Sequence, residues 1–400
     1  MEYLFSDRVQ TLKPSAIREI LKSATAPGMI SLSVGNPAPE AFPATEIGEI
    51  SSQIFRQRPI DALQYNVTEG YPPLRRTLTT YMKEKHGAGR DFDDLLITSG
   101  AQQVMDLATK SLCNAGDVVI CEAPSFIGSL NSFRSYQVRL RGVPMESDGI
   151  DLAELERALR EEPTAKFIYT IPNFQNPSGI TMSAEKRRGV YALAKQYGVL
   201  ILEDNPYGDL RFAGEEIAPI KALDEDGLVI YAGSFSKVIS PGMRVGYTLA
   251  PKPIVQKMVV CKQGEDVHTN IWSQLICEEF LTNYDYAAHL DRIRGVYREK
   301  AKLLLELAER YLAPDITWEP IEGGLFLWCR LPDDIDMLDF CRKAMERTVC
   351  VVPGNAFLVD ETQPCQSFRI NYTAPTDGQL TKGIEILGQL AKELLSLIHI

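Results

Sequence analysis

Short, wholly apolar runs recur through the middle of the chain. Each ends on small or polar residues, and a helix-like stretch follows. Leu95-Leu-Ile-Thr98 runs into Ser99-Gly-Ala-Gln102, Val118-Val-Ile-Cys121 into Glu122-Ala-Pro-Ser125, and Phe167-Ile-Tyr-Thr170 into Ile171-Pro-Asn173. Val199-Leu-Ile-Leu202 leads to Glu203-Asp204, and Leu228-Val-Ile-Tyr231 to Ala232-Gly-Ser234. Runs apolar throughout, rather than alternating, suit strands buried on both faces. With helices between them they predict an α/β fold with a mostly parallel central sheet flanked by helices.

The pattern then changes. Leu290, Ile293, Tyr297, Ala301, Leu304, Ala308 and Tyr311 recur every three or four residues and form one stripe of a long helix. We expect this helix to lead into a smaller α+β domain, where Gly324-Leu-Phe-Leu-Trp328 and Phe368-Arg-Ile-Asn-Tyr372 read as strands. The expected division is an N-terminal arm over 1–40 that joins the small domain, a large domain over 41–289, and a small domain over 290–400. Tyr71-Pro-Pro73 marks a helix start, and Gly323-Gly324 a close backbone approach. Lys186-Arg-Arg188 reads as a solvated helix face, and Trp272, Trp318 and Trp328 as core. The closing Ser396-Leu-Ile-His-Ile400 is apolar for a terminus, and either docks on the body or is an added tail.

Composition narrows the classes. The chain has 400 residues, 45% of them hydrophobic, and a net charge of −11. That excludes disorder and a disulfide scaffold, and it argues against a nucleic-acid surface. The eight cysteines stand singly with no CxxC pair, and the four histidines show no metal-ligand spacing. We therefore expect reduced core thiols, no metal, no signal peptide and no membrane span: a cytoplasmic protein.

In open α/β sheets, ligands bind beyond the carboxyl ends of the strands. The polar residues just past each apolar run are Gly100, Ala101 and Gln102, Asn176 in Asn-Pro-Ser-Gly179, Asp204 with Tyr207 three residues on, and Ser234, Ser236 and Lys237, with Arg244 further along. A lysine amine can form a Schiff base with an aldehyde. Hydroxyls, an arginine and helix-start amides can hold a phosphate. A carboxylate can keep a pyridine nitrogen protonated, and Asn and Tyr can bond a phenolic oxygen. Pyridoxal 5′-phosphate needs this whole kit.

The Ser-x-Ser-Lys…Arg motif, the Asn-Pro-Ser-Gly loop and the Asp-x-x-Tyr motif resemble those of the fold-type I pyridoxal-phosphate aminotransferases, class I/II, from about Ser15 to Tyr372. Ser15-Ala-Ile-Arg-Glu-Ile20, Asn36-Pro-Ala-Pro-Glu40, Leu63-Gln-Tyr-Asn-Val-Thr-Glu-Gly70 and Gly233-Ser-Phe-Ser-Lys-Val-Ile-Ser-Pro-Gly242 are similar to the 2-aminoadipate and kynurenine aminotransferase group. The resemblance implies that Lys237 carries the cofactor and shuttles a proton, that Asp204 pairs with the pyridinium, and that Asn176 and Tyr207 bind the ring oxygen. It puts Gly100, Ala101, Gln102, Ser234, Ser236 and Arg244 around the phosphate. Phe126 would stack on the ring where many relatives have Tyr. Tyr65 would reach the phosphate of a neighbouring subunit, making a homodimer. Arg369 would clamp the substrate α-carboxylate beside Asn176 and Gly35, and Ser15 and Arg18 would meet a distal substrate carboxylate.

The implied activity is transfer of an amino group from an L-amino acid of 2-aminoadipate, glutamate or aromatic type to a 2-oxo acid such as 2-oxoglutarate. Carbon–sulfur lyase, decarboxylase or cyclopropane-forming chemistry on the same fold is the alternative. A sensor domain behind a winged helix is disfavoured, because the likeness begins within about the first fifteen residues.

Overall fold

The computed structural model describes residues 3–10 and 26–398. Ser15 and Arg18 therefore lie outside the described residues. In chain order the strands are β1 (Ile30–Ser31), β2 (Asp93–Thr98), β3 (Val118–Ala123), β4 (Arg139–Glu146), β5 (Gly149–Ile150), β6 (Ala165–Thr170), β7 (Leu200–Asp204), β8 (Val229–Ser234), β9 (Gly246–Pro251), β10 (Thr317–Trp318), β11 (Phe326–Arg330), β12 (Val349–Cys350), β13 (Val352–Pro353) and β14 (Ser367–Asn371). Eight of them form the central sheet, in the order β2-β9-β8-β7-β6-β3-β4-β5. β4, β3, β6, β7 and β8 pair in parallel, and β9 runs antiparallel to both β2 and β8.

The apolar runs split by parity, as a pleated strand requires. Val119, Cys121, Phe167, Tyr169, Leu202 and Ile230 enter one buried cluster. Val118, Ile120, Ile168, Ile201 and Val229 enter another. Both faces of the sheet are thus covered, and each fully buried Val, Leu, Ile or Phe contributes ~1.5–3 kcal/mol. A third cluster lies around the antiparallel sheet β10-β11-β14-β13. The 26-residue helix Tyr286–Tyr311 joins the first and third. Its Leu290, Ile293 and Tyr297 belong to the large cluster, and Ala301, Leu304, Leu307 and Ala308 to the small one.

Two expectations need revising. Arg187 is not on a solvated face but 1% exposed, its guanidinium bonded to the carbonyls of Met182, Ile217, Ala218 and Pro172 and to Asn173 Oδ1. A buried cation holds its place only when its donors are satisfied in this way. Trp272 is 40% exposed and meets the equally exposed Phe55 edge-on at 5.5 Å, so it is no core residue. At the C-terminus, the helix Asp377–Ile398 buries Leu394 but leaves Leu397 exposed. Gly323 behaves as read: a Cβ there would lie 2.3 Å from the Phe174 ring.

Candidate active site

The carboxyl ends of β2, β6, β7 and β8 open on one cavity of about 340 Å³. Its wall holds Ala101 and Gln102 after β2, Phe126 after β3, Asn176 after β6, Asp204 and Tyr207 from β7, and Ser234, Ser236, Lys237 and Arg244 after β8. Gly35 comes from the segment following β1, and Arg369 from β14 of the small sheet. Twelve residues chosen from sequence are thus brought together. Gly100 stands just behind, as N-cap of the helix Ala101–Leu112, with φ +83°. A Cβ on Gly100 would lie 2.4 Å from Arg244 Nη2, so glycine is required on both counts. Tyr65 is elsewhere: 80% exposed, its ring edge-on to His268.

Asp204 is buried at the end of β7. Its Oδ2 accepts a hydrogen bond from the Tyr169 hydroxyl at 2.8 Å, while Oδ1 has no partner among the described residues. Burial pushes the carboxyl up to about 7, and the Tyr169 bond works against that. An oxygen left unpaired in so buried a place calls for a further donor. A cationic ring nitrogen is such a donor.

Lys237 lines the same cavity, its amine donating to the Gly35 carbonyl at 2.8 Å. Burial, then the charges of Arg369 and Arg244, bring that amine down to about 8. At neutral pH a larger share of it is therefore neutral and basic than of an ordinary lysine, although most still carries the proton. Arg369 is fixed from several sides. Nη1 donates to Asn176 Oδ1 at 2.6 Å and Nη2 to the Ser33 carbonyl at 2.8 Å, and Nε has no partner among the described residues. Its guanidinium carbon sits 4.1 Å from the Phe326 ring centre and 4.9 Å from that of Phe357. Asn176 in turn donates to the Tyr207 hydroxyl at 3.3 Å.

Among the described residues, the ionic side chains of the wall are Lys237, Arg244 and Arg369 against Asp204 alone. Such a cavity favours a ligand with several negative charges. At the end of the cavity beside the helix Ala101–Leu112, the amides of the first helical turn at Ala101 and Gln102 lack intrahelical acceptors. The Gln102 side chain is already committed to Gly128 O and Ser132 Oγ, so what it can offer is its backbone N–H. Ser234 Oγ accepts from the Ser236 amide at 3.1 Å, and Arg244 Nη2 donates to Ser99 O at 3.1 Å. Phe126 caps the helix Ile127–Arg134, and a Cβ at Gly128 would overlap its ring at 2.6 Å.

Sequence reading missed the supports of this site. Ser33 and Phe326 line the wall, and Ser129 and Tyr169 stand behind Asp204. Glu122 is fully buried at the end of β3 and accepts from the Thr170 hydroxyl, the Ile171 amide and Gln175 Nε2. Gln175 Oε1 accepts from Ser178, so Glu122 anchors the loop that carries Asn176. Burial pushes Glu122 up to about 7. The available signal was polarity at the end of an apolar run, which Glu122 shares with Asp204.

Such a fold and cavity define a pyridoxal-phosphate enzyme of the aminotransferase type. Residues 27–387 match the family model of aminotransferases class I and II, and the chain belongs to that family. It is 37% identical over 396 residues to an aromatic-amino-acid aminotransferase of Thermococcus litoralis, covering 98% of this chain and 95% of that one. It is 35% identical to a 2-aminoadipate transaminase of Thermus thermophilus, covering 97% and 96%. Among solved structures, a Pyrococcus horikoshii kynurenine aminotransferase in complex with PMP superposes with a TM-score of 0.93 at 35% identity, covering 97% of each chain. The protein is a pyridoxal-phosphate-dependent transaminase of the 2-aminoadipate and kynurenine aminotransferase group.

Proposed function

We propose that this transaminase takes the amino group from an L-amino acid of aromatic, 2-aminoadipate or glutamate type and delivers it to a 2-oxo acid such as 2-oxoglutarate, in two half-reactions on one site. The observation that supports this most directly is the unpaired Asp204 Oδ1, in one cavity with the Lys237 amine and the Arg369 fork. When bound, the cofactor supplies an electron sink for the pair left when the substrate Cα–H bond breaks. Asp204 keeps the ring nitrogen protonated through its free oxygen. Asn176 and Tyr207 orient the ring by its hydroxyl oxygen, and Phe126 covers one face. The amides at Ala101 and Gln102, with Ser234, Ser236 and Arg244, hold the phosphate, and Gly100, whose own amide donates to Thr98 O, lets it come close. Arg369 grips the α-carboxylate as a planar fork beside Gly35. Lys237, its amine pKa lowered by burial, takes the proton from Cα in its neutral form and returns it for product formation.

Among the described residues of the cavity there is no cation beyond these three. An acidic donor side chain would then depend on Arg18, with Ser15 beside it. The active unit is a cytoplasmic homodimer in which Tyr65 reaches the partner's phosphate. The exposure of Tyr65, and of Ile60 and Leu63 before it, supports a face that another subunit covers.

A donor screen with 2-oxoglutarate tests the reaction. Acceptor should be consumed in step with donor, and Lys237→Ala should abolish turnover. Pyruvate and ammonia released without loss of acceptor would favour a carbon–sulfur lyase instead. Arg18→Ala should lose acidic donors selectively, and equal loss of all donors would reject that assignment.

A further inference from the structure

Tyr169 is fully buried on β6, and its hydroxyl lies 2.8 Å from both Asp204 Oδ2 and Ser129 Oγ. A phenol has one proton to give. An ionised carboxylate can only accept, so the Tyr169 proton goes to Asp204, and the Ser129 hydroxyl donates to the phenol oxygen. The result is a directed chain from Ser129 to Tyr169 to Asp204. The terminal torsion of an aspartate is broad and weakly held on its own. Among the described residues, the Tyr169 bond is the only side-chain hydrogen bond that Asp204 makes, and it engages the oxygen other than the unpaired one. Ser129 belongs to the helix Ile127–Arg134, whose N-cap is Phe126. The chain therefore connects the wall that covers the ring to the carboxylate at the ring's edge.

We propose that Tyr169 is a positioning residue that sets the plane of the Asp204 carboxylate so that Oδ1 faces the pyridine nitrogen, and that Ser129 in turn sets the phenol. This rests on the reading of Asp204 as the partner of that nitrogen.

The test compares wild type, Tyr169→Phe, Ser129→Ala and the double variant for pyridoxal 5′-phosphate dissociation by equilibrium dialysis and for steady-state kinetics of the holoenzyme. Phenylalanine keeps the ring and its edge contact with Phe133 at 5.1 Å. Loss of one hydrogen bond to a charged group should weaken cofactor binding by about 10-fold or more. In Tyr169→Phe, kcat should fall with cofactor affinity while the donor KM stays within about twofold, because Arg369 is untouched. Ser129→Ala should show a smaller loss, and the double variant should be no worse than Tyr169→Phe, since Ser129 reaches Asp204 only through the phenol. Unchanged cofactor affinity in Tyr169→Phe, or losses that add in the double variant, overturns the proposal. If Tyr169→Phe does not fold, unchanged affinity in Ser129→Ala overturns it alone. Asp204→Asn separates the two readings: wild-type cofactor affinity in that variant would show that Asp204 itself had been misassigned.

Discussion

Replacing Arg369 by Lys keeps a positive charge on β14 but removes the planar fork. In the native site the two terminal nitrogens are engaged at 2.6 Å and 2.8 Å by Asn176 Oδ1 and Ser33 O, and the guanidinium plane is held against Phe326 and Phe357. A lysine ammonium is one point donor and cannot serve both acceptors while also presenting a paired edge to a carboxylate. Loss of the donor to one buried acceptor costs ~1–3 kcal/mol, and this should appear as reduced folding stability. Loss of one charge-assisted bond to the substrate carboxylate removes a further ~1.5–3 kcal/mol, or about 10- to 150-fold in kcat/KM. The assay is the donor half-reaction, followed by absorbance, for amino acids with apolar, aromatic and acidic side chains. Every donor carries the same α-carboxylate, so the loss should be one common factor across the series. A loss below about threefold, or one that scales with the side chain, would refute the assignment of Arg369.

Two further predictions concern the cofactor end and the lysine. Gly100→Ala forces a side chain into a backbone region that is nearly glycine-only, at ~1–3 kcal/mol, and pushes on Arg244; melting temperature and cofactor affinity should both fall, and wild-type affinity by dialysis would mean that Arg244 holds no phosphate. In cofactor-free protein, Lys237→Met should be more stable than wild type at pH 7 by on the order of 1–3 kcal/mol. The lysine's folded pKa of about 8 lies below its ordinary value of 10.5, so the unfolded chain binds more protons between them, wild-type stability rises with pH across that window, and the gap should close toward pH 10.5; a pH-independent gap in urea titrations would contradict the lowered amine pKa.

The parallel strands were legible because burial on both faces leaves no polar position in the run. Asp204, Asn176 and Lys237 were legible because each lies two to six residues past the end of such a run. β4 was not, since Arg139-Leu-Arg-Gly-Val-Pro-Met-Glu146 lies toward one edge of the sheet and keeps polar residues. Arg187 carried a signal that a charge count hides: Val190 and Ala194, three and seven positions on, place it on the buried helical face. Tyr169 looked like one more apolar strand residue, and only the position of β7 beside β6 shows what its hydroxyl meets. Ser33 and Phe326 lie far in sequence from the Arg369 they hold, so no local pattern could have assigned them.

The long helix shared by two cores has a mechanical consequence. No flexible tether separates the small sheet from the large one along Tyr286–Tyr311, so a tilt of one body is carried as a lever through a rod. The contact between Arg369 and Asn176 bridges those bodies and works as a gauge of their spacing: a drift of about 1 Å takes it out of hydrogen-bond range. Strain introduced at the far end of that rod can therefore be read as slackening of the grip on a substrate carboxylate that we propose for Arg369.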